Sequence, residues 1–194
     1  TVTGAANAAD LVALDGKTSV DVIVSAVGPV DGTFAELNKV YVTNKDNFTG
    51  LGNEAVTING TVTAAQANTI AKATSGVVTA TEVAAGTAAS LKAALTDVTA
   101  TDALKLKVTG TATVADLLAL EGKTSIAVDA KSVTAITGTA GEFATLNTTN
   151  VDLSSTVAVT VTGAIDAAAL TTIANDTFGK VTATVTDTAF NLKA

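Results

Sequence analysis

The stretch Val2–Val20 reads VTGAANAADLVALDGKTSV, and Val108–Ile126 reads VTGTATVADLLALEGKTSI. Further on, AVTINGTVTAAQANTIA from Ala55 aligns in the same way with AVTVTGAIDAAALTTIA from Ala158. Self-similarity on this scale is the signature of a repeat architecture. The chain therefore reads as two copies of one long repeat, residues 1–107 and residues 108–194. The second copy stops before its period is complete, which predicts a longer parent array.

Each copy contains a recurring motif in which a Gly is followed, three residues later, by a residue that favours helix N-caps. The instances are Gly4 with Asn7, Gly60 with Thr63, Gly110 with Thr113, and Gly163 with Asp166. A side-chain oxygen at the N-cap accepts a hydrogen bond from the free amides of the first helical turn. Apolar residues then recur at helical spacing, as in Leu117 and Leu120. The motif predicts four equivalent helices.

Two further signals mark the ends of these helices. Thr63 with Gln66 and Thr113 with Asp116 have the spacing of a capping box, in which cap and third residue bind each other's amide. A Gly follows each helix where a C-cap is expected, namely Gly16, Gly76, Gly122 and Gly179.

A second motif follows each of these helices. It consists of a Gly-Thr or Asp-Thr pair and a large apolar residue four positions after the Thr. The instances are Thr33 with Leu37, Thr87 with Leu91, Thr139 with Phe143, and Thr188 with Leu192. Glu36 and Glu142 stand three residues after their Thr, so these Thr residues are predicted to be N-caps of short helices. Each long repeat thus contains two units of the form strand, helix, strand, short helix.

Alternating strands and helices with short connections favour an α/β fold with a parallel sheet and right-handed crossovers. Eight such passes predict an elongated, solenoid-like array in which each pass packs on its neighbours. The alternative is a set of tandem β-sandwich modules, in which the helical patterns are misread strands. Strand segments such as Val157–Val161 would offer unpaired amides to another chain if they lay at a sheet edge.

The composition limits the function. The chain has no His, Cys, Met or Trp, and all of its basic residues are Lys. It therefore has no imidazole base, no thiolate and no N/S ligand set for zinc. A net charge of −7 argues against nucleic acid as a partner. Apolar runs are short and interrupted, so no membrane insertion is expected.

Possible catalytic motifs have simpler explanations. The GKTS segments at Lys17 and Lys123 lack the first Gly of a phosphate-binding loop, and their helix precedes the motif instead of following it. Asp10 and Asp116 fall at the third helical position, where the helix dipole favours an acid. We therefore expect no enzyme activity and assign no catalytic, cofactor-binding or metal-ligating residue.

Calcium is the one cofactor left open. Oxygen-bearing side chains crowd the segment between Asn38 and Glu54, which is longer in the first copy than in the second; they are Asn44, Asp46, Asn47, Asn53 and Glu54. No EF-hand loop or glycine–aspartate nonapeptide is present. The segment is therefore compatible with one weak calcium site, for which we assign no ligands.

The segments VTGTATVADLLALEG, ITGTAGEFATL and TVTDTAFNL resemble the Ala/Thr/Val-rich tandem repeats of large bacterial surface proteins. These include S-layer proteins, RTX-type adhesins and related secreted repeat proteins. The resemblance covers essentially the whole chain and implies an extracellular or cell-surface location, a structural role, and often calcium dependence. The chain lacks the RTX glycine–aspartate repeat, so the calcium part is not carried over.

The expected function is structural: self-assembly into a surface layer, fibre or filament, without catalysis. The expected partner is a second copy of the chain, and a cell-surface glycan is a further candidate partner. Two alternatives stay open. The first is an ice-binding or adhesive stalk module, because the Thr-x-Thr pairs Thr79/Thr81, Thr160/Thr162 and Thr182/Thr184 could form a flat ice-binding face if they stacked in register. The second is a polysaccharide-acting enzyme of β-solenoid type.

Overall fold

A computed structural model describes residues 1–177, 179–188 and 191–192. The helices found there are α1 (Ala8–Asp15), α2 (Phe34–Asn38), α3 (Ala64–Ala71), α4 (Ala88–Ala94), α5 (Val114–Glu121), α6 (Ala140–Leu146) and α7 (Ala167–Asn175). The strands are β1 (Thr3–Asn7), β2 (Val22–Ile23), β3 (Ala26–Thr33), β4 (Phe48–Thr49), β5 (Val56–Val62), β6 (Val78–Val83), β7 (Ala103–Leu104), β8 (Lys107–Thr113), β9 (Val128–Thr139), β10 (Val151–Leu153), β11 (Ala158–Ile165) and β12 (Val181–Val185).

The fold is α/β, as predicted, with parallel strand pairing. The β-sandwich alternative is wrong, because the segments with helical spacing form helices and sandwich sheets are antiparallel.

The chain divides into two compact units. The first contains residues Thr1–Ala84, Ala94–Leu106 and Lys123–Ile126, and the second contains Ala85–Ala93, Lys107–Gly122 and Ala127–Ala194. The boundary at residue 107 is defined by sequence repetition and not by compactness, so it stays a prediction.

In the first unit, five parallel strands pair in the order β1-β3-β5-β6-β7, which is also their order along the chain. Val30, Val56 and Val78 are register partners on three neighbouring strands, and all three are buried. A column of this kind buries apolar surface without any aromatic side chain, which explains how a chain with 3% aromatics builds a core. Strands β2 and β4 form a separate parallel pair.

In the second unit, β8, β9, β11 and β12 pair in chain order, and β10 also pairs with β9. Val159 of β11 lies beside Ile136 of β9, and both are buried. The segment Val157–Val161 is not at an edge, because β11 lies between β9 and β12. The strands at the ends of the two sheet orders are β1 and β7 in the first unit and β10 and β12 in the second.

The four predicted N-caps are confirmed. Asn7 accepts a hydrogen bond from the amide of Ala9 at 2.9 Å, whereas the other three accept from the third helical residue. Those three are Thr63, Thr113 and Asp166, with distances of 3.2, 3.1 and 2.7 Å. All four segments that follow are helices, so the short motif is enough to start each one.

The capping boxes are confirmed in part. Thr63 and Gln66 bind each other's amides, and so do Thr139 and Glu142. At Thr113 the structure shows only the bond from the Asp116 amide to the threonine hydroxyl. The Asp116 side chain is one methylene shorter than Glu, and its carboxylate is paired with Lys92 instead.

The short helices also begin as predicted where the structure describes them. Thr33 contributes its amide and hydroxyl to the Glu36 carboxylate, both at 2.8 Å, and the Thr87 hydroxyl accepts from the Ser90 amide at 3.2 Å. After Thr188, residues 189 and 190 lie outside the described residues, so the fourth short helix is not described in full.

The Gly of the first motif has a role that the sequence did not suggest. Gly4, Gly60, Gly110 and Gly163 all have left-handed φ angles, between 78° and 81°. The pairing register shifts at or beside each of them. They therefore act as β-bulges, where a left-handed residue fits an extra position into one strand and changes its direction.

The prediction of four C-cap glycines is half wrong. Gly16 and Gly122 are C-caps with φ near −66°. Gly76 and Gly179 lie beyond the ends of their helices, whose caps are Lys72 and Asp176. A Cβ at Gly76 would stand 2.2 Å from the Glu54 carbonyl oxygen, and one at Gly179 would stand 2.1 Å from that of Val157. These two glycines allow a close approach of two backbone segments.

Candidate functional site

The second GKTS segment has a structural use. Lys123 Nζ donates to the carbonyl oxygen of Val98 at 3.1 Å. The buried Thr124 hydroxyl donates to the Leu104 carbonyl at 2.9 Å and accepts from the Leu104 amide at 3.0 Å. Helix α5 precedes the motif, whereas in a phosphate-binding loop the helix follows the Lys.

The Thr124 contact belongs to a series. Three threonine hydroxyls are buried, and each donates to a backbone carbonyl 20 residues earlier in the chain; the residues are Thr74, Thr124 and Thr177. The acceptors are Glu54, Leu104 and Val157, at 2.8, 2.9 and 2.8 Å. The threonine in these turns therefore satisfies a buried carbonyl.

The two carboxylates considered for catalysis lie in the first turns of their helices, as expected. Asp10 is exposed at the third position of α1. Asp116 occupies the same position in α5, where the hydrogen bond from Lys92 lowers the pKa of its carboxyl group.

The residues considered for calcium largely bind other parts of the protein. The side-chain amides of Asn44 and Asn47 donate to the two Asp15 carboxylate oxygens, each at 2.9 Å. The buried Glu54 carboxylate accepts from the amides of Gly52 and Asn53, at 3.0–3.2 Å. Across the part of the chain that the structure describes, no group of three or more His, Cys, Asp or Glu side chains is placed to hold a metal ion.

The same insert contains a feature that the sequence reasoning missed. Residues Lys39–Thr43 form a turn of π-helix, and Tyr41 within it is only 5% exposed. The Tyr41 hydroxyl has no hydrogen-bond partner among the described residues. Burial, with the nearby Glu54 carboxylate, raises the pKa of Tyr41 far above its usual value.

Tyr41 also lines an open cleft of about 790 Å³ in the first unit. Lys45 and Lys72 lie in the lining, as does Asp97, which accepts a hydrogen bond from the Asn68 side chain at 2.8 Å. The one signal for this site in the sequence is that Tyr41 is the single tyrosine of a chain almost without aromatics.

The outward face of the second unit carries a row of threonines. Thr113, Thr137, Thr160 and Thr182 are register partners across β8, β9, β11 and β12. A second row consists of Thr139 and Thr162 and stops there, because the bulge at Gly163 places Thr184 beside Ala164. The predicted stacking of Thr-x-Thr pairs is therefore present in one row and interrupted in the other.

Comparison with protein-family models, with curated proteins and with solved structures found no match. None of the described helices is both long enough and apolar enough to cross a bilayer.

Proposed function

We propose that this chain is a structural repeat segment of an extracellular or cell-surface protein, and that copies of it associate into a layer, fibre or filament. In this proposal each unit is a short solenoid, and the outer edges of β1 and β12 form the contacts between copies. The chain has no catalytic role in this proposal.

The solenoid arrangement is supported by the strand order. In the first unit the strands β1, β3, β5, β6 and β7 pair in parallel in the order in which they follow one another along the chain, and in the second unit β8, β9, β11 and β12 do the same. A ladder of this kind adds one pass at a time, and each pass buries its apolar face mainly against its neighbours. The outer side of a terminal strand then has the same backbone pattern as any interior strand.

The observation that carries the assembly proposal is the outer side of β12. Lys180 accepts from Val159, and Thr186 donates to Ile165, so the residues at even positions direct their amides toward β11. Because backbone groups alternate along a strand, Val181, Ala183 and Val185 direct theirs away from it. No described strand pairs with this side.

Strand β1 of the first unit pairs with β3, and no described strand lies on its other side. Unpaired amides and carbonyls at a strand edge form a template for another chain. A parallel contact from the β12 edge of one copy to the β1 edge of the next uses two different surfaces. Such a heterologous contact continues into a filament unless its rotation closes a ring.

The proposal is tested with Ala183→Pro, which removes one outward amide and no hydrogen bond to β11. The control is Ala183→Ser, which keeps the amide. Analytical ultracentrifugation and negative-stain imaging of the full chain, with and without calcium, should show assemblies for the parent and Ala183→Ser and fewer for Ala183→Pro. Monomers at every concentration would contradict the proposal and favour a monomeric stalk.

The row of four threonines favours one alternative, an ice-binding face. The Thr113 hydroxyl caps α5, so the free part of the row consists of Thr137, Thr160 and Thr182, whose hydroxyls are about 4.8 Å apart from strand to strand. A regular array can contact the repeating oxygens of an ice surface at several points at once. Thermal hysteresis of the parent chain, lost in Thr160→Lys and kept in Thr57→Lys in the other unit, would establish this activity; its absence in the parent would exclude it.

A further inference from the structure

The second unit contains an apolar pocket between its sheet and two of its helices. The pocket has a volume of about 200 Å³, and its walls come from β9, α6, β11 and α7 and from the segments that join them. The side chains of its floor are apolar and at most 6% exposed; they are Ile136, Phe143, Leu146, Val157, Val159 and Ile173. Asn147, Ser155 and Asp176 also line the pocket and are exposed, so its mouth opens to solvent.

The sequence position that Asn147 takes at this mouth belongs to a tyrosine in the first copy. Tyr41 follows the helix cap Thr33 by eight residues, and Asn147 follows the equivalent cap Thr139 by eight residues. Tyr41 is only 5% exposed, whereas Asn147 is exposed. The first copy therefore buries an aromatic ring at the position where the second copy has the mouth of a pocket.

The strand pairing fixes how the two copies align after this position. Val22 of β2 pairs with Phe48 of β4, and the equivalent Val128 of β9 pairs with Val151 of β10. Phe48 and Val151 therefore correspond, although the segment before Phe48 is longer in the first copy. The buried threonine that follows makes the same hydrogen bond in both copies, so the alignment holds up to that point.

The neighbours of the Tyr41 ring correspond to lining residues of the pocket. Leu51 and Ala73 border the same small cleft as Tyr41, and Glu54 lies beside its hydroxyl. In the second copy all three of these positions line the pocket; the pairs are Leu51 with Ser154, Glu54 with Val157, and Ala73 with Asp176. The pocket of the second unit therefore corresponds to the space that the Tyr41 ring fills in the first.

No side chain among the described residues of the second unit takes the place of that ring. Asn147 instead donates a hydrogen bond to Asp176, and both remain exposed at the mouth. Apolar side chains that border a void lose their contacts on that side, which is destabilising. An engineered apolar cavity of about 150 Å³ binds benzene. A pocket of about 200 Å³ with an apolar floor therefore has room for one six-membered ring.

The polar groups of the pocket indicate that the ring carries a hydrogen-bond donor at its outer end. The inner position held by the Glu54 carboxylate in the first unit is Val157 in the second, so the deep end of the pocket is apolar. At the mouth, the Asp176 carboxylate accepts from Asn147 and has capacity for further donors. A hydroxyl bound to a carboxylate forms a strong, charge-assisted hydrogen bond, whereas an anionic substituent would be repelled. A phenol meets both conditions, and it is the ring that the first copy itself buries.

We propose that this pocket binds a phenol, with the aromatic ring on the apolar floor and the hydroxyl donating to the Asp176 carboxylate at the mouth. The ring can belong to a free phenol or to a tyrosine side chain, since the two share this chemistry. This inference goes beyond the assembly proposal and does not depend on it.

The test measures binding of p-cresol, the side-chain analogue of tyrosine, to the full chain by calorimetry and by ligand-observed NMR. The matched control is toluene, which has the same ring and methyl group without the hydroxyl. We expect saturable binding of p-cresol with a Kd on the order of 0.1–1 mM, and roughly tenfold weaker binding of toluene. N-acetyltyrosinamide is the second probe. Binding as tight as that of p-cresol would support a tyrosine side chain as the source of the ring, and weaker binding would support a free phenol.

Variants locate the site. Asn147→Tyr gives the second copy the ring of the first and should abolish p-cresol binding. Its control is Asn68→Tyr, which makes the same change at an asparagine that donates to Asp97 in the first unit, outside the pocket lining, and should leave binding unchanged. Asp176→Asn alters only an exposed side chain; it should weaken p-cresol binding roughly tenfold and leave toluene binding unchanged, because it removes the charged acceptor. The thermal midpoint of each variant shows that it is folded.

Three results would overturn the proposal. The first is the absence of saturable binding of p-cresol to the parent chain. The second is equally tight binding of toluene, or an equal effect of Asp176→Asn on both ligands, which would show that the hydroxyl is not recognised at the mouth. The third is p-cresol binding that persists in Asn147→Tyr or is lost equally in Asn68→Tyr, which would place the ligand outside this pocket.

Discussion

Gly76→Ala is the substitution that tests most directly how neighbouring turns of this chain approach each other. The new Cβ would lie 2.2 Å from the Glu54 carbonyl oxygen, 2.4 Å from its carbon and 2.8 Å from the Ala55 nitrogen. Favourable contacts between heavy atoms need about 3.5 Å, so the two backbone segments must separate by about 1 Å. All three atoms belong to the backbone and cannot rotate away.

The separation would break two hydrogen bonds next to the glycine. The Thr74 hydroxyl donates to the Glu54 carbonyl at 2.8 Å, and the Val56 amide donates to the Val77 carbonyl at 2.9 Å. Each buried group left without a partner costs about 1–3 kcal/mol. We therefore expect Gly76→Ala to lower the free energy of unfolding by about 3–5 kcal/mol, a shift of about 2 M in the urea midpoint.

The measurement is urea unfolding followed by the fluorescence of Tyr41, which lies in the same unit as Gly76. The control is Gly16→Ala, whose Cβ would have 3.7 Å of space and a φ angle that any residue adopts. That change should cost less than about 0.5 kcal/mol. Gly179→Ala repeats the test in the second unit, where urea unfolding is followed by circular dichroism. It should lower the free energy of unfolding as much as Gly76→Ala does. A loss at Gly76 no larger than at Gly16 would refute the close-approach argument.

Three further outcomes follow from the structure. In Gly60→Ala the new Cβ would meet no atom within 4 Å, but the backbone must hold a φ of 81°, so the change should lower the free energy of unfolding by about 1 kcal/mol. In Gly141→Ala, within α6, there is neither a steric contact nor a left-handed φ, so the change should raise the free energy of unfolding by up to about 1 kcal/mol. The urea midpoints of the two variants check both values. Because Lys92 lowers the pKa of Asp116, this carboxylate stabilises the fold above its unfolded pKa, and the contribution is lost as pH falls through its lower folded pKa. Lys92→Met should therefore flatten the dependence of unfolding free energy on pH between about pH 5 and pH 2, and an unchanged slope would contradict the pairing. Tyr41→Phe removes a buried hydroxyl that has no hydrogen-bond partner among the described residues, and it should raise the free energy of unfolding by about 1 kcal/mol; a loss of that size would show that the hydroxyl has a partner in the free protein.

The sequence predicted those parts of the fold that depend on neighbouring residues. A cap such as Asn7 or Asp166 acts on amides two or three positions away, so its effect is visible in a short segment. The order of strands and helices followed from the same local signals. The repetition then transferred each assignment from one copy to the other.

Roles that depend on the next turn of chain could not be predicted from local patterns. Gly16 and Gly76 both follow a helix, yet one is a cap and the other faces a carbonyl from an earlier turn. The left-handed φ of Gly60 was equally hidden, because the motif indicates a helix start without showing the bulge before it. Lys45 and Lys72 meet Tyr41 only after successive turns have packed together, so the cleft had no signature of its own.

The buried threonines and close-approach glycines also explain how a sequence of this composition keeps a single register. Strands rich in alternating Val and Thr can slip by two residues and still place the same residue types inward, so the apolar columns alone specify the register weakly. A slip at β6 would remove the Glu54 carbonyl from the Thr74 hydroxyl and would place a side chain where Gly76 now allows contact. Both changes leave buried backbone groups unpaired, which costs more than the loss of one valine contact. Thr177 and Gly179 hold β12 on β11 in the same way. We infer that these turns set the register of the ladder, while the valine columns supply most of its stability.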